Sequence, residues 1–167
     1  MYLDQKFLAF VQAIESYHRR MITNYEIPED YHKKRLEEIT RAVPENHRKW
    51  LQERLAYSNE PTLRRRMRDM MDKCSDVVKP NKSVRNAYIS KTVNTRNYLT
   101  HYDSSLESKT AKGEQLRDLT QGLKLLLEIS LLKELGFESK DINEFYSRNW
   151  EYKRRIIDFA KAYPIKK

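Results

Sequence analysis

The chain has 167 residues, 39% of them apolar and 34% charged, a balance that suits one helical domain with a proper core and excludes a disordered chain. Its net charge of +9 favours a polyanionic partner, with nucleic acid the first candidate. A single cysteine, Cys74, excludes an internal disulfide and fits a reducing cytoplasm, and no apolar run approaches the roughly 18 residues that cross a bilayer.

The spacing predicts a first helix over 2–24, with Leu3, Phe7, Phe10, Val11, Ile14, Tyr17 and Met21 on one stripe. Pro28, Glu29 and Asp30 suit a helix start. The second helix runs to about 42, with Tyr31, Leu36, Ile39 and Val43 as its apolar side. Pro44 breaks it and opens a third helix through Trp50, Leu51 and Leu55. Ser58-Asn59-Glu60-Pro61 is a turn, and a fourth helix carries Leu63, Met67, Met70 and Met71, with Cys74 facing the core. A loop over 75–83 leads into a helix from about 83 to 102, with Val84, Tyr88, Ile89, Val93 and Leu99 as core contacts. A polar connector follows, to about Gly113. Residues 114–135 form the most apolar helix, from Leu116 to Leu135, with Gly136 as its stop. A last helix spans about 141–162. No strand alternation is present. The expected fold is an all-α antiparallel bundle of six to seven helices, with the short second and third helices outside the main bundle.

The fifth helix carries Arg96-Asn97-Tyr98-Leu99-Thr100-His101. With 16 Arg and 4 His in the chain, an Arg followed five residues later by His is expected about 0.4 times by chance, and roughly 0.02 times when Asn must follow the Arg. Arg85-Asn86 and Arg148-Asn149 lack a His at the matching offset.

RNA brings its own nucleophile, the 2′-hydroxyl. Cleavage then needs proton transfer, charge stabilisation at phosphorus and protonation of the leaving 5′-oxygen. His101 suits proton transfer, Arg96 suits a phosphate clamp, and Asn97 suits orienting an imidazole or a phosphate oxygen. Two proton transfers and one His per motif make a homodimer attractive, with two motif helices about a two-fold axis. Glu15 is the candidate to orient Arg96, against a local ion pair with Arg19. Tyr98 and Tyr102 are candidates to stack on bases. Arg64, Arg65 and Arg66, with Lys153-Arg154-Arg155 and Lys166-Lys167, are candidates to track a phosphate backbone, against the plainer role of solvated charge. His18, His32 and His47 read as scattered on polar faces, so no metal site and no cofactor is expected.

The motif, with Gln12-Ala13-Ile14-Glu15, Val93-Asn94-Thr95 and Leu131-Leu132-Lys133-Glu134-Leu135-Gly136, resembles the HEPN ribonucleases, and among them the ApeA-like HEPN group, over roughly residues 3–137. The resemblance implies a helical bundle that dimerises with its motifs face to face. It implies a metal-independent endoribonuclease leaving a cyclic phosphate, acting in bacterial defence, toxin-like growth arrest or abortive infection. The partners it implies are RNA, a second copy, and a fused N-terminal sensor domain or an antitoxin. The domain expected over 1–167 enters its first helix almost at once, which suggests excision from a longer chain. Members without catalysis serve as modules for dimerisation or for holding a nucleotide or partner. A helical DNA-binding protein is the third reading of the composition.

Overall fold

The computed structural model describes residues 2–22 and 25–161. The expected ends of the first and last helices at 24 and 162, and the basic pair Lys166-Lys167, lie outside the described residues. Among those residues there are helices and no strand: α1 (Leu3–Met21), α2 (Glu29–Ala42), α3 (Glu45–Leu55), α4 (Leu63–Lys73), α5 (Lys82–His101), a 3-10 helix (Ser104–Lys109), α6 (Gly113–Glu134), α7 (Ser139–Arg148) and α8 (Trp150–Lys161).

The core forms where apolar stripes meet. Phe7, Val11, Ile14 and Tyr17 recur at steps of four and three and are buried on one side of α1. They face α6, the most extensive helix pair in the fold, where Leu116, Leu119, Leu123, Leu126 and Ile129 are buried. Each such side chain, fully buried, contributes about 1.5–3 kcal/mol of transfer free energy. Met67, Met70 and Met71 of α4 and Val84, Tyr88 and Ile89 of α5 complete the core, with Cys74 fully buried among them. Thr62 caps α4 by accepting from Arg65 N, and Asn81 caps α5 by accepting from Val84 N at 2.9 Å.

Two expectations need correction. The last helix is two: Asn149 is extended, and its side-chain oxygen accepts from Glu151 N at 3.0 Å, so a new helix starts there. The polar connector carries the 3-10 helix, which starts where Asp103 accepts from Ser105 N at 3.0 Å. Met21 and Leu135 sit at helix ends beyond the packed turns and are exposed.

Neither α2 nor α3 buries a residue, and they pack chiefly on each other, outside the main bundle. A polar clasp closes the base of this hairpin. Asn59 accepts from Ile27 N and donates to Ile27 O, both at 3.1 Å. Glu26 N donates to Asn59 O at 3.1 Å, and Thr62 N to a Glu26 carboxylate oxygen at 2.9 Å.

Candidate active site

The motif occupies the last turn and a half of α5, and the chain folds so that this end is both anchored and open. Thr95, fully buried just before the motif, accepts from Ala111 N at 3.0 Å. That bond ties the returning connector to α5. After the motif the helix stops at Tyr102, the one non-glycine residue with positive φ (52°) among those described. Its N–H still donates to Tyr98 O at 2.7 Å. A left-handed tyrosine is strained relative to glycine or asparagine. Its backbone turn delivers the chain straight into the 3-10 helix.

Arg96 and Glu15 meet across α5 and α1. Arg96 Nη2 lies 3.6 Å from Glu15 Oε1, and the side chains keep 26% and 34% of their exposure. Of the two partners open to Glu15 from the sequence, the contact formed is with Arg96; Arg19 instead binds Glu60 at 2.7 Å. Arg96 Nε is buried without a hydrogen-bond partner, so the guanidinium retains unused donor capacity, and leaving a buried donor unmade costs about 1–3 kcal/mol. Asn97 is half-buried and His101 exposed. Asn97 and His101 share a face of α5 at a spacing of four, whereas Arg96 stands about 140° around the axis from His101. One helix therefore places Asn97 with His101 and turns Arg96 toward α1. Thr100 Oγ1 donates back to the Arg96 carbonyl at 2.8 Å, the usual way a helical threonine satisfies its hydroxyl.

Tyr98 and Tyr102 lie beside one another, rings 6.2 Å apart at 53°, and Tyr102 is 78% exposed. Hydrogen bonds from the Ser105 hydroxyl and backbone N–H hold the nearby Asp103 carboxyl below the usual carboxylate range.

The arginine run does not form one surface. Successive residues point about 100° apart on a helix, and the three go to different places. Arg64 donates to Ser90 Oγ of α5 at 3.0 Å, and Arg65 is exposed and paired with Asp69 at 3.1 Å. Arg66 is the correction: it is 4% exposed and turned into the protein. A guanidinium so enclosed cannot track an RNA backbone. Of the second basic stretch, Lys153 and Arg154 are exposed, with Arg154 over the Trp150 ring at 5.7 Å, whereas Arg155 is half-buried and lies over Tyr152 at 5.0 Å.

His18 also departs from expectation. It is fully buried, with Nε2 2.9 Å from Asp69 Oδ2. Its spacing of four from Ile14 and seven from Val11 puts it on the core stripe, and that periodicity was the available signal. Among the described residues no group of three or more His, Cys, Asp or Glu is placed to hold a metal. No helix among them is long and apolar enough to cross a membrane.

The model of the Apea-like HEPN family matches residues 8–141, a span from α1 into α7 that includes the whole motif. No curated protein and no solved structure matches the chain.

Proposed function

Because this chain belongs to the Apea-like HEPN family, we propose that it is a metal-independent endoribonuclease whose site is composed by two copies of the chain. The observation that carries the reading is the end of α5. There an exposed His101 and a half-buried Asn97 share one face, and the partly exposed Arg96 guanidinium lies beside Glu15.

The chemistry follows from those groups. Neutral His101 of one protomer takes the proton of the RNA 2′-hydroxyl. The 2′-oxygen attacks the adjacent phosphorus, and the two Arg96 guanidinium groups stabilise the charge that builds on the phosphoryl oxygens. The bond from phosphorus to the 5′-oxygen breaks, and that oxygen takes a proton from the imidazolium of the partner subunit's His101. The products are a 2′,3′-cyclic phosphate and a free 5′-hydroxyl. Asn97 orients the imidazole or a phosphoryl oxygen, and Tyr98 and Tyr102 offer π-faces to unpaired bases beside the cut. The role fitting such an activity is defence or growth arrest, held in check by a fused sensor domain or an antitoxin.

The test is incubation of total RNA with the wild type and with His101→Ala, both in EDTA. Cleavage by the wild type alone supports the reading. Equal cleavage by both, or none by the wild type, refutes it. The second reading is a non-catalytic module that dimerises or holds a nucleotide. It is favoured by the angular separation of Arg96 from His101, and it predicts binding of RNA or nucleotide without a cut.

A further inference from the structure

The motif's arginine is set by Glu15, and the structure places a second arginine directly behind Glu15. Arg66 of α4 is buried with all three of its guanidinium nitrogens engaged. Nε donates to Pro61 O at 2.9 Å, Nη2 to Glu60 Oε2 at 2.8 Å, and Nη1 to both the Glu15 carbonyl and His18 Nδ1 at 3.4 Å. Since a guanidinium can only donate, His18 Nδ1 is the acceptor and Nε2–H points to Asp69. His18 is thereby fixed as one tautomer and bridges α1 to α4 a second time.

A buried cation is tolerated only when its donors are satisfied. Any slide of α1 along α4 breaks several of these bonds together, so the α1 backbone at Glu15 is held in one position. The Glu15 side chain leaves from that point to meet Arg96 at 3.6 Å, a contact already at the edge of ion-pair reach. An ångström of movement separates the pair, and misplacement on that scale at a reacting centre can cost about 100-fold in rate.

We infer that Arg66, together with its partner Glu60, is a positioning residue for the motif: it fixes α1 at Glu15 and so aims the Arg96 guanidinium. The catalytic part of this inference rests on the ribonuclease reading, whereas the positional part concerns Arg96 alone. Glu60 closes the chain at the surface, where it also accepts from Arg19 at 2.7 Å and adjoins the base of the α2–α3 hairpin. Disturbance at that base therefore has a route to the motif through the Glu60–Arg66 hydrogen bonds, the α1 backbone and the Glu15–Arg96 ion pair.

The experiment uses the full chain, with Arg66→Lys to keep the charge and lose the fork. Glu60→Gln acts at a partly exposed partner and leaves the core intact. Ile142→Ala serves as a destabilised control in α7. The first readout is the Arg96 Nε–Hε resonance in nitrogen-15-labelled protein, assigned by its loss in Arg96→Lys. It is expected to move in Arg66→Lys and Glu60→Gln in the same direction as in Glu15→Gln, and to stay put in Ile142→Ala. A resonance unmoved in both network variants overturns the inference.

The second readout is single-turnover RNA cleavage. Arg66→Lys should lower the rate at saturating RNA at least tenfold with half-saturation within threefold. In a Glu15→Gln background the same change should cost less than twofold, because its route to Arg96 is already cut. Losses that multiply, or that match Ile142→Ala at equal stability, overturn the catalytic part. A wild-type chain that cuts no RNA refutes the ribonuclease reading, and the resonance alone then decides the positioning.

Discussion

Gly122 sits mid-way along α6 where side chains of α5 and α8 approach its backbone closely, and alanine there gives a prediction with calculable parts. A Cβ on Gly122 would lie 2.6 Å from Tyr88 Oη and 2.8 and 2.9 Å from Cδ2 and Cε2 of Phe159. Neither neighbour has room to yield. Tyr88 is buried and donates to Leu119 O at 2.8 Å, and its ring packs edge-on against Phe159 at 4.7 Å. Forcing the rings apart costs about 1–3 kcal/mol of overpacking. Displacing the tyrosine hydroxyl from Leu119 O adds about 1–3 kcal/mol for the buried group left unmade. Against this, alanine gains about 1 kcal/mol over glycine in helix propensity. The net loss is about 1–5 kcal/mol, centred near 3, which lowers Tm by roughly 6–12 °C for a chain of this size. Thermal unfolding followed by circular dichroism reads it directly. Gly122→Ala combined with Tyr88→Phe removes the atom in the closest contact and should recover part of the loss. An unchanged or higher Tm in Gly122→Ala would refute this packing argument, and with it the close seating of α8 on α5 and α6.

Three further outcomes follow from the site and its supports. Mixing wild-type chains with an excess of His101→Ala chains should lower cleavage to the fraction of wild-type homodimers, because each cut uses both imidazoles; activity that falls only in proportion to the wild-type chain, while heterodimers form, would refute the composite site. Replacing Arg64 and Arg65 with Ala should flatten the dependence of RNA affinity on salt by roughly 0.7 in log–log slope for each phosphate no longer neutralised, whereas an unchanged slope returns both residues to the role of solvated charge. Acid should weaken the α4–α6 seam. Hydrogen bonds from Lys73 and Tyr17 hold the Glu134 carboxyl below its ordinary value; for Asp76, burial pushes the other way but bonds from Lys133 and Ser139 prevail. Lowered carboxylates contribute stability that is fully present above the ordinary value of about 4 and is lost as pH falls through their lowered native values. The urea midpoint should fall over that range, and less steeply in Lys133→Met, which removes the cation 2.6 Å from Asp76; equal slopes would remove this pair from the account.

Where sequence spacing and burial share a cause, the fold was legible in advance. The α1 stripe, the leucine-rich α6 and the helix stop at Gly136, with φ of 89°, follow from periodicity and from the conformational freedom of glycine. The placing of α2 and α3 outside the bundle was legible too, since neither carries a broad apolar face. Polar residues that lie on a core stripe were misread. His18 and Arg66 occupy apolar registers, yet their residue types suggested the surface. Their burial depends on partners that residue type does not reveal, Asp69 for His18, 51 residues away, and Pro61 O, Glu15 O and Glu60 for Arg66. The helix start at Asn149 has a local signal, since asparagine before Trp150-Glu151 is a good cap, but the Arg148-Asn149 pair sits inside a stretch whose periodicity continues. At the site, the motif and the partnership of Glu15 with Arg96 were legible. The strain at Tyr102 was not, because residue type gives no hint of a left-handed backbone at a tyrosine.

The central claim is that RNA is cut by its own 2′-hydroxyl at Arg96 and His101, and one substrate tests it most directly. Once the main cut in a short RNA has been mapped, the same strand is made with 2′-deoxyribose at that single position and incubated with the wild type in EDTA. The account predicts that the substituted strand binds with unchanged affinity and stays intact there, while the all-ribose strand yields a 2′,3′-cyclic phosphate. Cleavage of the deoxy position at a comparable rate would contradict it.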